Sequence, residues 1–217
     1  MSSLPRRQNG ADPTTYPINP FLLGGYATTD AVLGYHTALA FYQVTYSVSY
    51  RFVYLTQQQS KSFVFNTDQF MSTAFPQALL NKSQKDSFVN TEDVQGLPVR
   101  VTSLERTLVD VLDRPLLGGG WEEIWRSLDT IERLKIDNII KYALLLNNSI
   151  TTAKVGFYLS QRQQELKISL VQLEQLRRHA PKSPRYIDAT AKKDGKIVAD
   201  WNLIVPTGLL NKNWQVA

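Results

Sequence analysis

A change of hydrophobic period between residues 97 and 114 constrains the fold of this chain more than any other feature of its sequence. Up to Thr102, apolar and polar residues alternate, which is the pattern of a strand with one buried face. After Thr102, apolar residues recur at the spacing of a single stripe along a helix. These residues are Leu104, Leu108, Val111 and Leu112. The sequence therefore predicts a strand that runs directly into an amphipathic helix.

The polar residues at this junction have both a structural and a chemical interpretation. Thr102 and Glu105 have the T-x-x-E spacing of a capping box, in which two side chains bind backbone N–H groups that the first helical turn leaves unpaired. Arg106 and Asp110 stand four residues apart, so they can pair on one helix face. Glu105, Arg106 and Asp110 could also form a catalytic acid-and-cation set. Because capping and helix pairing explain all three, we interpret them as architectural.

The same segment resembles the C-terminal domain of AbiEi-type antitoxins. These proteins are the antitoxin halves of bacterial type IV toxin–antitoxin pairs, which act in abortive infection as a defence against phage. The resemblance begins with VTSLERTLVD at Val101–Asp110, followed by the glycines Gly118–Gly120. Three further segments match the same family in the same order along the chain, and two of them contain Gly156 and Trp201. They are Tyr35–Leu39, Lys154–Leu159 and Trp201–Leu203. The resemblance spans roughly residues 16 to 206.

The resemblance implies a non-enzymatic antitoxin that opposes a nucleotidyltransferase-type toxin encoded beside it, by direct contact or indirectly. It also implies a role in transcriptional regulation of the operon, and self-association as a homo-oligomer. AbiEi-type antitoxins typically carry an N-terminal winged helix-turn-helix that binds operator DNA. Only about 15 residues precede the domain here, which is too few for a helix-turn-helix. The chain is therefore expected to be either one domain of a longer protein or a form that works without its own DNA reader.

Composition limits the class of protein and the chemistry open to it. Apolar residues make up 43% and charged residues 20% of the 217-residue chain, as in an ordinary folded domain. There is no cysteine, which excludes disulfides, thiolate metal sites and cysteine nucleophiles, and which suits a reducing compartment. No apolar run approaches the ~18 residues of a membrane span, and the first residues lack the apolar core of a secretory signal. We expect a cytoplasmic protein with no membrane contact.

Positive charge is concentrated towards the C-terminus. From Lys154 onward there are eleven Lys and Arg residues against five Asp and Glu, although the net charge of the whole chain is only +5. A basic segment of this kind can contact nucleic acid or an acidic partner, or it can be an ordinary solvated surface. Both interpretations stay open. The candidate contact residues are Arg177, Arg178, Lys182, Arg185, Lys192 and Lys193.

These patterns together predict an α+β fold. Residues 1–15 are expected to be a flexible lead-in. Residues 16–115 are expected to form a small mixed or antiparallel sheet with the helix of residues 104–113 packed on it. Residues 116–206 are expected to form a helical cluster and then a C-terminal β-hairpin of the same domain. Residues 207–217 complete the chain as a tail.

Local signals refine the second half of this prediction. Asp137 is predicted to cap the start of one helix, and Ser169 opens a second capping box. Gly156 lies inside a predicted helix, where a glycine indicates the close approach of two backbones. Asp194 and Gly195 stand between two β-prone runs, which is a strong signal for the turn of the hairpin.

Candidate catalytic and metal-binding residues are few. His36 has no second His, Asp or Glu at ligand spacing nearby, so we interpret it as a packed or surface residue. The Gly118–Gly120 run lacks the pattern of a phosphate-binding loop, and Glu122 and Glu123 follow where a phosphate would sit. The sequence therefore predicts no cofactor, no metal and no catalysis.

An aromatic cluster precedes the helical part of the chain. Seven of the ten tyrosines fall between residues 16 and 54, and residues 44–66 are rich in β-branched and aromatic side chains. Exposed tyrosines can stack on nucleobases, whereas tyrosines that alternate along antiparallel strands cover a sheet face. We favour the packing interpretation.

Overall fold

Strands dominate residues 32–102 and helices dominate residues 104–177. The structure is a computed structural model that describes residues 18–59, 62–189 and 191–212. These residues form an α+β fold, as the sequence predicts, with a six-stranded sheet, a layer of helices and a three-stranded sheet near the C-terminus. Within the described ranges, no helix has the length and apolar content needed to cross a membrane.

The larger sheet is mixed. Its strands are β1 (Val32–Leu33), β2 (Arg51–Leu55), β3 (Phe63–Phe65), β4 (Asp68–Thr73), β5 (Val89–Val94) and β6 (Leu97–Thr102). They lie in the order β3-β4-β2-β1-β6-β5, with β1 parallel to β6 and β2 parallel to β4. The β5–β6 hairpin closes at Gln95 and Gly96, whose positive φ angles of 55° and 83° suit a two-residue turn.

The helices are short, and one of them lies at the centre of the helical layer. They are α1 (Pro20–Gly25), α2 (Tyr35–Phe41), α3 (Gln77–Asn81), α4 (Leu104–Asp113), α5 (Trp121–Asp129), α6 (Ile136–Leu145), α7 (Ser149–Gln161), α8 (Leu170–Arg177), α9 (Ala191–Asp194) and α10 (Thr207–Leu210). Helix α4 contacts α2, α6 and α7. The helix predicted to follow the β-to-α junction is therefore the one around which the others pack.

Both faces of the larger sheet are covered at strand β2, near its centre. In β2, Val53 and Leu55 pack into the core formed with the helical layer, whereas Phe52 and Tyr54 belong to a second core on the opposite face. Phe21 of α1 packs edge-on against Phe52 and helps to cover that second core. Because both faces are covered, β2 is a continuous apolar run rather than an alternating one.

Strand β6 runs directly into helix α4, as predicted, but the predicted Thr102–Glu105 capping box is wrong. Ser103 is the N-cap residue, and its Oγ accepts a hydrogen bond from the backbone N–H of Arg106 at 3.3 Å. Thr102 is still paired in β6 and fully buried, so its side chain does not turn back to cap the helix. The Glu105 carboxylate instead accepts a hydrogen bond from the backbone N–H of Lys135 at 3.2 Å.

The helix caps of the second half agree only in part with the prediction. Lys135 precedes α6, so the N-cap predicted at Asp137 is wrong. Asp137 lies in the first helical turn, where its charge favours the helix dipole, and it accepts a hydrogen bond from Gln172 at 2.8 Å. Asn148 caps α7 through its side-chain oxygen. Ser169 forms the predicted capping box with Gln172 at the start of α8.

Gly156 marks a close approach, as predicted, but the neighbour is a side chain rather than a second backbone. A Cβ atom at Gly156 would overlap the indole ring of Trp201. Trp201 is 1% exposed, and its Nε1 donates a hydrogen bond to Oγ of Ser160 at 3.2 Å. This contact docks the C-terminal part of the chain on α7.

The predicted C-terminal hairpin is present, but its turn lies elsewhere and a third strand joins it. The strands of this C-terminal sheet, β7 (Arg185–Tyr186), β8 (Gly195–Val198) and β9 (Leu203–Pro206), lie in the order β7-β9-β8. The hairpin joins β8 to β9, and β7 runs parallel to β9, so the prediction of a hairpin turn at Asp194 and Gly195 is wrong. Residues 191–194 form a helical turn instead, and Gly195 is required because a Cβ there would overlap a backbone carbonyl of that turn.

Candidate functional site

The two charged residues of the family-like motif, Arg106 and Asp110, lie in the interior. Arg106 is 0% and Asp110 is 1% exposed, and Nε of Arg106 lies 3.2 Å from Oδ2 of Asp110. Nη1 of Arg106 also donates to the backbone carbonyls of Lys85 at 2.7 Å and Ser87 at 2.8 Å. The guanidinium therefore joins α4 to the segment that leads into β5.

Aromatic side chains enclose this ion pair. The hydroxyl of Tyr142 on α6 donates to Oδ1 of Asp110 at 2.7 Å, and the Arg106 guanidinium lies 5.2 Å from the Tyr142 ring centroid and 6.0 Å from that of Phe75. Burial raises the pKa of Asp110, and the adjacent guanidinium opposes part of that rise. Because protein groups enclose the pair, Arg106 and Asp110 do not face an open cleft.

The first two candidate basic residues are engaged within the molecule. Arg177 lies 3.1 Å from a carboxylate oxygen of Glu174 and 3.9 Å from one of Asp200, and its guanidinium stands over the Trp201 ring at 5.3 Å. Arg178 lies 3.5 Å from Glu174. Arg177 therefore joins the end of α8 to the turn between β8 and β9, whereas Arg178 pairs only within its own helix. Both side chains remain partly accessible to solvent.

The other four candidate residues, three lysines and one arginine, lie on the C-terminal sheet and its flanking segments, and a further lysine lies on β8. All five side chains are exposed, and none forms an ion pair with another described residue. We call this set the basic rim. It consists of Lys182, Arg185, Lys192, Lys193 and Lys196. Lys196 was not among the candidates predicted from the sequence, although it follows Lys193 by three residues.

An exposed apolar row lies on the sheet that carries this rim. Tyr186, Ile204 and Ile197 stand directly opposite one another on β7, β9 and β8, so their side chains share one face. Tyr186 is 46% and Ile197 is 61% exposed. We call these three residues the outer row. Leu203 and Val205, which alternate with Ile204 on β9, point to the buried face. Arg185 and Lys196 stand opposite Leu203 and Val205, so they leave the strands on the other face. The outer row itself is an exposed apolar surface of the kind that binds a partner.

A second polar site lies between α2, α5 and the segment of residues 43–50. His36 and Glu123 are 6% and 8% exposed, and Nε2 of His36 lies 3.2 Å from Oε1 of Glu123. Both side chains line a cavity of about 200 Å³. We call it the His36 cavity. No local pattern predicts this pairing, because the two residues are 87 positions apart and meet only in the folded chain.

Glu123 clasps the segment of residues 43–50. Its carboxylate accepts hydrogen bonds from the backbone N–H groups of Tyr46 at 3.1 Å and Ser47 at 3.2 Å, and from the hydroxyls of Ser47 at 2.6 Å and Ser127 at 2.8 Å. Burial would raise the pKa of Glu123, but these hydrogen bonds outweigh it and hold the pKa below its ordinary value. The carboxylate therefore fixes a stretch of irregular backbone.

The three consecutive glycines form a turn that leaves room for the side chains of Glu123 and His36. Gly119 has a φ of +91°, and a Cβ atom there would lie 2.7 Å from Cγ of Glu123 and 3.4 Å from Cδ2 of His36. Gly120 has the same positive φ and precedes α5. The run is a turn, as predicted, and its lack of side chains leaves room for the buried pair.

The tyrosine cluster divides into packed and exposed members. Tyr35 and Tyr54 are fully buried, as the packing interpretation predicts. Tyr26, which ends α1, is 54% exposed. Tyr46 and Tyr50 are 57% and 61% exposed, because residues 44–50 form no strand. Tyr16 lies outside the described residues. In the ranges that the structure describes, no three His, Asp or Glu side chains are grouped so as to hold a metal ion.

Comparison with known proteins finds a similar fold but indicates no function. No family model matches the sequence, and no curated protein matches it. The chain is similar in structure to the RV2827C protein of Mycobacterium tuberculosis, with a TM-score of 0.56 and 12% sequence identity. The match covers 90% of this chain and 71% of that protein. At this identity the likeness concerns the fold alone.

Proposed function

We propose that this protein is the antitoxin-like component of a bacterial type IV toxin–antitoxin pair and opposes a nucleotidyltransferase-type toxin by binding rather than by catalysis. The segments that resemble AbiEi-type antitoxins motivate the identity of the system. The observation that carries the proposal is the outer row, since its exposed side chains offer a partner apolar contact on one face of the sheet. The exposed lysines of the basic rim add positive charge to the same part of the chain.

The interior position of the motif residues supports the same proposal. A catalytic acid or cation must reach its substrate, but Arg106 and Asp110 are occupied by Tyr142 and by backbone carbonyls. Their role is to hold α4 and α6 in place. The surface formed by the C-terminal sheet is then the part of the molecule that meets the toxin.

Growth rescue tests this proposal directly. The protein encoded beside this chain is expressed from an inducible promoter in a bacterial host, and growth is followed with and without co-expression of this chain. We expect the toxin to arrest growth and the wild-type chain to restore it. Arrest that persists in the presence of folded wild-type chain would overturn the proposal.

Two matched variants test whether the outer row is the surface that contacts the toxin. Ile197 on β8 is 61% exposed and Val64 on β3 is 66% exposed, and both are β-branched residues on edge strands. We expect Ile197→Asp to lose the rescue and Val64→Asp to keep it, because only the first introduces a charge into the proposed contact. Equal rescue by both variants would place the contact elsewhere.

A second candidate function is nucleic-acid binding by the basic rim, with Tyr186 as a stacking platform. The observation that favours it is that five exposed cations without carboxylate partners among the described residues lie on the C-terminal sheet and its flanking segments, and the sheet also carries the half-exposed Tyr186. It predicts an affinity for oligonucleotides whose logarithm falls linearly with the logarithm of the salt concentration, by about 0.7 to 0.9 per phosphate contact.

Fluorescence anisotropy with labelled single-stranded and duplex oligonucleotides tests that candidate. We expect the double change Lys192→Glu and Lys193→Glu to weaken binding and flatten the salt dependence. The matched control is Lys141→Glu with Lys167→Glu, which alters net charge equally at exposed positions outside the rim. Equal losses in the two double variants would mean that net charge, rather than the rim, attracts the nucleic acid.

A further inference from the structure

We propose that the His36 cavity is a binding site for a small planar ring that carries one N–H or O–H donor. This site is separate from the outer row, and the proposal does not depend on the antitoxin function. It rests on the geometry of the cavity floor, on the exposed apolar residues at its mouth and on its size.

The floor offers one hydrogen-bond acceptor. Nε2 of His36 lies 3.2 Å from Oε1 of Glu123. In a neutral imidazole, an Nε2–H group that donates to this carboxylate makes Nδ1 the hydrogen-bond acceptor. Nδ1 makes no hydrogen bond to another described residue. The Glu123 oxygens, by contrast, already accept hydrogen bonds from Tyr46, Ser47 and Ser127. Arg51 also lines the cavity, but it is an exposed residue. Of the two buried polar groups of the floor, His36 and Glu123, the imidazole is therefore the one that a ligand can still engage.

The mouth carries apolar side chains from two separate segments. Val48 of the 43–50 segment is 84% exposed, and Leu116 of the 3-10 turn Pro115–Gly118 is 85% exposed. Both side chains line the same cavity, together with Leu117 and Val53. Apolar residues around a floor with a few convergent polar groups are the usual composition of a ligand pocket.

The size limits the class of ligand. A volume of about 200 Å³ lies below the ~300 to 1,000 Å³ of pockets for drug-sized ligands, so the site suits a single ring system. Gly119 forms part of the wall with no side chain to fill the space. A phenol-like or indole-like ring satisfies both requirements, because it fills an apolar mouth and donates one hydrogen bond to an imidazole nitrogen. Such a ring can belong to a free small molecule or to a Tyr or Trp side chain of a partner.

The test uses phenol as the probe and anisole as its matched control, since anisole has the same ring without the donor. The full chain is labelled with ¹⁵N, and the imidazole resonances are followed by NMR during each titration. We expect phenol to bind saturably and shift the His36 Nδ1 resonance. Anisole is expected to bind about threefold to tenfold more weakly, the effect of one lost hydrogen bond. The exposed His179 serves as an internal control and should not shift.

Two variants keep the test decisive. His36→Phe should abolish the preference for phenol over anisole, because it removes the acceptor. Since His36 is buried, the exposed pair Val48→Asp and Leu116→Asp provides a second test that leaves the interior intact, and it should weaken phenol binding severalfold. The proposal is wrong if phenol does not saturate, if anisole binds equally well, or if the double variant binds phenol as the wild type does.

A competition distinguishes the two sources of the ring. If the protein encoded beside this chain displaces bound phenol, the ring belongs to a side chain of that partner. If phenol remains bound while the partner associates, the site takes a free small molecule. Either result retains the site and assigns its occupant.

Discussion

Asp110 and Glu123 are both buried carboxylates that meet a basic side chain, but their surroundings differ. Asp110 lies against Arg106 and Tyr142 in the interior of the helical layer. Glu123 lies against His36 at the floor of a cavity, and its partners include the backbone of an irregular segment. The first pair joins regular elements to one another, whereas the second pair holds a loop at the surface.

The comparison shows that burial of charge does not by itself identify a binding site. The Arg106–Asp110 pair is enclosed by aromatic rings, so its contribution is to the position of α4 and α6. The His36–Glu123 pair is almost as buried but has a free imidazole nitrogen beside open space. A buried charged pair is a candidate binding site when one of its polar atoms has no protein partner and faces a cavity, and it has a structural role when protein groups enclose it.

The largest expected effect is that of removing Asp110. Asp110→Ala leaves the Arg106 guanidinium buried without its carboxylate, which costs about 3–5 kcal/mol of unfolding free energy. Urea unfolding measures this loss. The control is Glu122→Ala, which breaks the exposed i,i+4 pair with Arg126 on α5 and should cost less than about 0.5 kcal/mol. Similar losses in the two variants would contradict the architectural role of Asp110.

The next effect concerns the contact that docks the C-terminal sheet. Gly156→Ala places a methyl group into the buried Trp201 ring, and overpacking of this kind costs about 1–3 kcal/mol. Thermal unfolding measures the loss. Adding Trp201→Phe removes the overlapping part of the indole and should restore part of the stability of the Gly156→Ala protein. If the two changes are simply additive, the ring does not contact Gly156 in solution.

A smaller loss of stability is expected where the Glu123 carboxylate binds the segment of residues 43–50. Glu123→Gln keeps one acceptor oxygen but loses the charge that the surrounding donors favour, at about 1–2 kcal/mol for a charge-assisted hydrogen bond. The 43–50 segment should become more mobile while α4 and α6 stay protected, and hydrogen exchange of the Tyr46 and Ser47 amides measures this. Unchanged exchange at both amides would mean that the carboxylate does not hold the segment.

The stability that Glu123 provides also depends on pH. Hydrogen bonds from Ser47 and Ser127 hold the pKa of folded Glu123 below that of the unfolded chain. The stability it provides is therefore present above the unfolded pKa of about 4.3 and is lost as the pH falls through the folded pKa. The difference in Tm between wild type and Glu123→Gln should shrink as the pH falls below that value. A difference that stays constant from neutral to acidic pH would contradict the assignment.

Local patterns predicted the elements, but distant contacts decided the sites. The change of period at Thr102 predicted β6 and α4, and the capping box at Ser169 was visible because its residues are neighbours in sequence. The cap at Ser103 was missed because Thr102 remains in the strand. The outer row depends on strand register, and His36 meets Glu123 across 87 residues. No local pattern contains either relation.

The measurement that tests the account most directly is isothermal titration calorimetry of this chain with the protein encoded beside it. Thermal unfolding of each variant is recorded in parallel. We expect the wild type and Val64→Asp to bind with the same affinity, and Ile197→Asp to bind at least tenfold more weakly with an unchanged Tm. Binding by Ile197→Asp that matches the wild type would contradict the claim that this protein acts through the outer row of its C-terminal sheet.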